Sequence, residues 1–242
     1  MSATKMRKFL IVCFIFSIIP ALVWAQDDDT QYKSQFIWGV NKYTNGGLIG
    51  GLVTRYSVEE KPGVYQTYGA EIIHQKHPKE LRYNSITGET FILGKSHYLY
   101  SVRLQYGREW LLFRKAPQQG VQINLGVGAG PTIGLYYPYY VEVSTDGSFN
   151  SINVPYTTNV NPNAILGTGG LLQGLDETQL KIGGSAKVYM SFEFGTFRTS
   201  VSGFELGLLL EAFPEEVILM PNVENRQFFP GAFINLVFGT RK

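Results

Sequence analysis

Apolar and polar residues alternate with a period of two along most of this chain. Tyr98, Tyr100, Val102, Leu104 and Tyr106 interleave with Leu99, Ser101, Arg103, Gln105 and Gly107. Val121, Ile123, Leu125, Val127 and Ala129 interleave with Gln122, Asn124 and the glycines 126, 128 and 130. The same rhythm runs from Ile182 to Phe194 and from Phe204 to Glu211. A period of two is the signature of strands that present different chemistry on their two faces. Eight such segments are predicted, at roughly 34–44, 47–59, 63–77, 95–109, 120–134, 180–197, 202–213 and 228–239. They are long, since strands in globular proteins usually have about 5–6 residues. A tilted strand that crosses a bilayer needs about 9–11, and these segments reach or exceed that.

The connections sort by parity. Tight links are expected at residues 60–62 and 198–201, and long ones at 78–94, 135–179 and 214–227. The Asn45-Gly46 turn and the link around Lys115-Ala116-Pro117 are exceptions in length alone. Long links on one end and short links on the other are expected of a closed barrel set in a membrane. A soluble sandwich has no reason to sort its loops in this way. The fold class read here is all-β, a closed antiparallel up-and-down transmembrane β-barrel of eight strands.

The N-terminal residues set the compartment. Lys5, Arg7 and Lys8 precede an apolar run from Phe9 to Leu22, and Val23-Trp24-Ala25 supplies a cleavage site, so 1–25 reads as a signal peptide and Gln26 as the first mature residue. The run is shorter than the ~20 residues of a spanning helix, which favours a cleaved leader over an anchor. Of 21 Lys+Arg and 19 Asp+Glu, the leader removes three basic residues, leaving a near-neutral chain with no expected nucleic-acid partner. The one cysteine, Cys13, leaves as well, excluding disulfides, thiolate catalysis and cysteine-bound metals.

The leader, the eight alternating runs, the sorted loops and the final segment Gly231-Ala-Phe-Ile-Asn-Leu-Val-Phe238 together resemble the small outer-membrane β-barrels of the OmpX/OmpA type. Members commonly end on an aromatic residue, whereas Gly239-Thr240-Arg241-Lys242 follows here. The resemblance implies one barrel domain over 26–242, in the outer membrane of a Gram-negative cell, with porin-like architecture and insertion by the barrel assembly machinery.

Eight strands enclose an interior that side chains can fill. Glu71, Arg103, Lys187, Glu193 and Glu205 share the inward parity, and Arg55, Glu109 and Glu211 join them nearer the strand ends. Two readings follow from mixed charges in a narrow space: an ion-paired plug, or a proton path or gated pore. The plug is favoured, because an unpaired buried charge is costly. Trp38, Tyr56, Tyr68, Tyr98 and Phe238 fall on outward positions near strand ends, as interfacial girdle residues do.

His74 and His77 invite a metal reading, but residues three apart on a strand point to opposite faces, so none is expected. Lys76, His77, Lys79 and Arg82 are read instead as an outer rim at the level of lipopolysaccharide phosphates. Ser96-His97 is the one Ser/His neighbour pair; strand alternation would part the two side chains, so no catalytic residue is assigned. The 135–179 link carries Tyr136-Tyr137-Pro138-Tyr139-Tyr140 and reads as one further hairpin, 141–143 and 152–156 around Asp146-Gly147.

The expected function is a structural, adhesion or surface-interaction role, with no cofactor, outer-membrane lipid as a partner, and room for a protein partner at the loops. A lipid A acyl hydrolase or transferase, or a narrow channel, is the alternative.

Overall fold

Alternation becomes pairing in the computed structural model, which describes residues 32–47, 50–114, 120–145, 150–170, 173–194 and 199–242. The leader, Lys115-Ala116-Pro117 and Asp146-Gly147 lie outside the described residues. In chain order the strands are β1 (Ser34–Tyr43), β2 (Gly51–Lys61), β3 (Val64–Gln75), β4 (Arg82–Asn84), β5 (Thr90–Ile92), β6 (His97–Phe113), β7 (Gln122–Pro138), β8 (Tyr140–Ser144), β9 (Ser151–Pro155), β10 (Ile165–Thr168), β11 (Gln179–Phe194), β12 (Ser200–Val217) and β13 (Arg226–Arg241).

Eight of them close into an antiparallel barrel in the order β1-β13-β12-β11-β7-β6-β3-β2. Closure gives every wall strand two hydrogen-bonded neighbours and leaves no sheet edge around most of the ring. The stagger can be followed residue by residue. From Phe36 the paired residues run Tyr56, Tyr68, Tyr106, Ala129, Ala186, Leu210 and Pro230. That circuit returns to β13 at Pro230, ten residues from Thr240, the direct partner of Phe36. A stagger of this kind tilts the strands and narrows the interior.

β6, β7, β12 and β13 are longer than the sequence pattern indicated, running past the predicted segments at one or both ends, while β11 begins one residue before its predicted segment and ends at Phe194. The last strand continues past residue 239, where the predicted segment ends, through Thr240 to Arg241. Pro62 and Gly63 make the β2–β3 turn, and Gly63 sits at φ 77°, a conformation that favours glycine. Glycines in β7 make room inside: the Tyr189 ring lies over Gly126, where a Cβ would overlap it.

The wall is uneven in height. β1 and β2 have 10 and 11 residues, whereas β12 and β13 have 18 and 16. At the end with the long links, here the outer end, two links are not plain loops. β4 and β5 form a hairpin, and β10-β8-β9 form a three-stranded sheet. The hairpin predicted in the 135–179 link is β8–β9; the third strand, β10, was not foreseen. Phe91, Tyr139, Val141, Tyr156 and Ile165 build a small core shared by both links, so the outer end carries a packed cap.

Candidate functional site

The lumen is the most chemically dense part of the molecule, and its charges stand in tiers. In the middle tier the Arg55 guanidinium reaches Glu205 at 2.6 Å and Glu109 at 3.2 Å. Asn235 donates to Glu205 at 2.8 Å and Asn41 donates to Asn235 at 2.6 Å. Asn124 and the Tyr189 hydroxyl donate to Glu109 at 2.6 and 2.9 Å, and the same tyrosine ring faces Arg55. The neighbours thus supply donors to carboxylates that a burial of this depth strips of water, while Glu205 Oε1 is met by the Arg55 charge alone.

Nearer the outer end, Arg103 Nε donates to Glu211 at 2.6 Å, and a second guanidinium nitrogen contacts the same carboxylate. Ser101 and Gln75 also donate to Glu211, at 2.5 and 3.1 Å. Glu71, the cross-strand partner of Arg103, lies 3.4 Å from it and is held by Lys187 as well. At the inner end Glu193 pairs with Arg241 and accepts from Gln35 at 3.1 Å. The Tyr32 and Tyr65 rings stack at that end, with Arg241 over Tyr32. Leu99, Tyr136, Phe213, Val217, Leu219 and Phe229 form a buried apolar cluster toward the outer end.

The eight charges singled out from sequence parity all point inward, and they divide between these tiers: Arg55, Glu109 and Glu205; Glu71, Arg103, Lys187 and Glu211; and Glu193. Arg241 lies beyond the last predicted segment, which ends at 239; its parity with Asn235, Val237 and Gly239 is the signal that finds it. The neutral donors Gln75, Ser101, Asn124 and Asn235 were missed too, although they share the parity of the charges they serve.

The basic rim needs correction. Lys79 and Arg82 are exposed and Lys76 is half-buried, but His77 is buried. Its Nε2 is 3.1 Å from the Glu224 carbonyl and its Nδ1 accepts from the Lys79 amide at 3.2 Å, so it ties two links together and is not a rim cation. His74 points elsewhere, stacked on Tyr100. Tyr98 is not a girdle residue. It is packed among Tyr137, Tyr139 and the ammonium of Lys95.

Lys95, which the sequence did not flag, is fully buried in the cap and pairs with Glu80 at 2.9 Å. Burial holds its ammonium below the usual lysine range, and Glu80 restores only part of the shift. The folded state therefore releases this proton at a lower pH than the unfolded chain does. Between the lowered value and the ordinary 10.5, the unfolded chain binds more protons, and the cap is stabilised as pH rises. Resistance of residues 76–96 to protease should increase with pH across that window, and Lys95→Met should flatten the trend. An unchanged slope in Lys95→Met would show that another group sets it.

Ser96 and His97 also depart from expectation. Ser96 precedes the strand, so alternation does not separate the pair, and its Oγ lies 2.9 Å from His97 Nδ1. His97 is stacked on Tyr136 at 4.1 Å, and Ser96 is buried, its Oγ also within 3.3 Å of the Leu219 carbonyl. These contacts join the start of β6 to the link after β12.

No family model matches the sequence, and no curated protein matches it. Among solved structures, the crystal structure of neisserial surface protein A is similar, with a TM-score of 0.32 and 11% identity, covering 86% of this chain and 94% of that one.

Proposed function

We propose that the chain is an integral outer-membrane barrel whose lumen is a permanent ion-paired plug and whose cap serves a structural or surface-interaction role outside the cell. One observation carries the reading: the protein is inside-out. Trp38 is 55% exposed, Leu52 59% and Leu208 63%, within an apolar outer wall, while arginines and glutamates fill the interior. A soluble monomer rarely exposes a contiguous apolar patch of more than a few hundred Å². In hydrocarbon such a wall is the favourable one.

Aromatic residues support the same placement. Phe36, Trp38, Tyr56, Tyr68, Tyr106 and Phe238 face out near the short-turn end, as an interfacial girdle does. Exposed Lys79 and Arg82, with Lys76 beside them, supply cations for lipopolysaccharide phosphates at the opposite end.

The test is Leu104→Arg. Leu104 is 48% exposed, on an outward position of β6 paired with Ala70. On a soluble surface the change would matter by about ±0.5 kcal/mol. Near the middle of a bilayer it should cost ~2–4 kcal/mol, read as a shift of the urea midpoint in liposomes. A shift within the soluble range would reject the membrane reading.

A further inference from the structure

One wall pairing stops short. β11 and β12 are paired from Phe194–Ser202 as far as Gly184–Ala212. Beyond that point β11 follows β7 alone to Gln179–Tyr136, and β12 meets β13 once more, at Val217–Arg226, across an irregularity. Pro214 has no amide hydrogen to carry the ladder on. A cleft of about 210 Å³ opens there, lined by Leu180, Lys181, Ile182, Phe213, Pro214 and Glu215. Residues of both parities line it, so it cuts into the wall. The buried Phe213 ring, set against Gly134 and Gly183, lies on its lumen side.

The cleft stands where the wall changes character. β11 runs inward from the outer end, so Ile182, Gly184, Ala186 and Val188 lie progressively deeper than Lys181 on an outward face with no polar side chain. Leu180 and Ile182, which flank Lys181, are 67% and 71% exposed. Farther out the surface is acidic: Asp176, Glu177, Glu215 and Glu216 are all exposed, against Arg226. Unpaired main-chain groups are costly in hydrocarbon, which places the break at the boundary with water.

Resting on the membrane reading above, we propose that this cleft holds the head of a phosphoethanolamine lipid of the outer leaflet. The phosphate pairs with Lys181, the ammonium meets Glu215, and the acyl chains descend past Ile182. Extending the register beyond Gly184–Ala212 sets Lys181 across from Glu215. Among the described residues no ion pair joins them, and the Lys181 ammonium lies 5.2 Å from the centre of the Tyr136 ring. The order along the membrane normal is that of the lipid: hydrocarbon at Ile182, then a cation, then carboxylates. A purely anionic lipid, lipid A included, would set its charge against those carboxylates with nothing to meet Glu215.

The test uses the full chain, delipidated in mild detergent and titrated with phosphatidylethanolamine, phosphatidylglycerol or lipid A, with bound lipid counted by native mass spectrometry. A gel-mobility shift on boiling verifies the barrel in every variant. Wild type should take one phosphatidylethanolamine and bind phosphatidylglycerol more weakly. Lys181→Gln should weaken phosphatidylethanolamine by about tenfold or more. Leu180→Glu, which adds a carboxylate to the lip, should do the same and serves if Lys181→Gln does not fold. Glu215→Gln should narrow the difference between the two glycerolipids, a change that a merely structural carboxylate would not produce. Arg108→Gln, exposed at the inner end, should bind as wild type does.

Equal binding of phosphatidylethanolamine by wild type and Lys181→Gln would overturn the site while the barrel stands. Phosphatidylglycerol or lipid A binding wild type at least as tightly would overturn the choice of head. A wild-type protein that shows no boiling shift would instead sink the membrane reading itself.

Discussion

Glu211→Ala is expected to lower sharply the temperature at which the folded gel band disappears. Glu211 is fully buried and accepts from Ser101, Gln75 and two nitrogens of Arg103. Without it the buried guanidinium keeps the Tyr43 ring and, among the described residues, one carboxylate, Glu71 at 3.4 Å, which is shared with Lys187. Removing one partner of a buried pair typically costs ~3–5 kcal/mol, because the other charge stays in low dielectric. Glu89→Ala, exposed on the cap, should cost about 0–1 kcal/mol. Combining Glu211→Gln with Arg103→Met should recover part of the loss, since both charges then leave together. If Glu211→Ala and Glu89→Ala melt alike, water reaches the tier and the lumen is not a plug.

Arg55→Met should be at least as damaging, for a different reason. Arg55 stands between Glu109 and Glu205, each about 1% exposed, and its removal leaves two carboxylates with no cation between them. The expected loss is again ~3–5 kcal/mol, with like-charge repulsion added. Arg55→Lys should restore only part of it, because a single ammonium cannot span two carboxylates as a guanidinium fork does. The same heating series measures it, and a variant that melts with wild type would show that the middle tier is solvated.

The wall was legible in the sequence because it obeys one rule. Period-two alternation put Arg55, Glu71 and Arg103 on one face and Trp38, Leu104 and Phe238 on the other, and burial follows that division. What alternation cannot supply is the partner across the lumen. Arg103 lies opposite Glu71 in register, yet its shorter contacts are to Glu211, 108 residues away in the chain. That choice depends on the closure and stagger of the ring, which no local pattern encodes. Alternation also fails where strands end. Ser96 and His97 share a hydrogen bond, and His77 turns into the cap to meet Glu224, because neither Ser96 nor His77 lies within a strand. Lys95 was invisible for a third reason: a lone lysine in a link reads as solvated until Glu80 and Tyr98 are brought around it.

The way the ring is joined has a consequence for how it forms. Seven of the eight wall pairings link strands that follow one another around the meander, while the eighth joins β1 to β13, with Gln35 opposite Arg241. Each of the seven can begin as a hairpin, and the β2–β3 hairpin closes over only two residues. The last seam brings together segments about two hundred residues apart and bears the largest loop-closure entropy. Until it zips, both edges stay open to pairing with other chains, so the β1–β13 seam is where slow maturation and misassembly should concentrate.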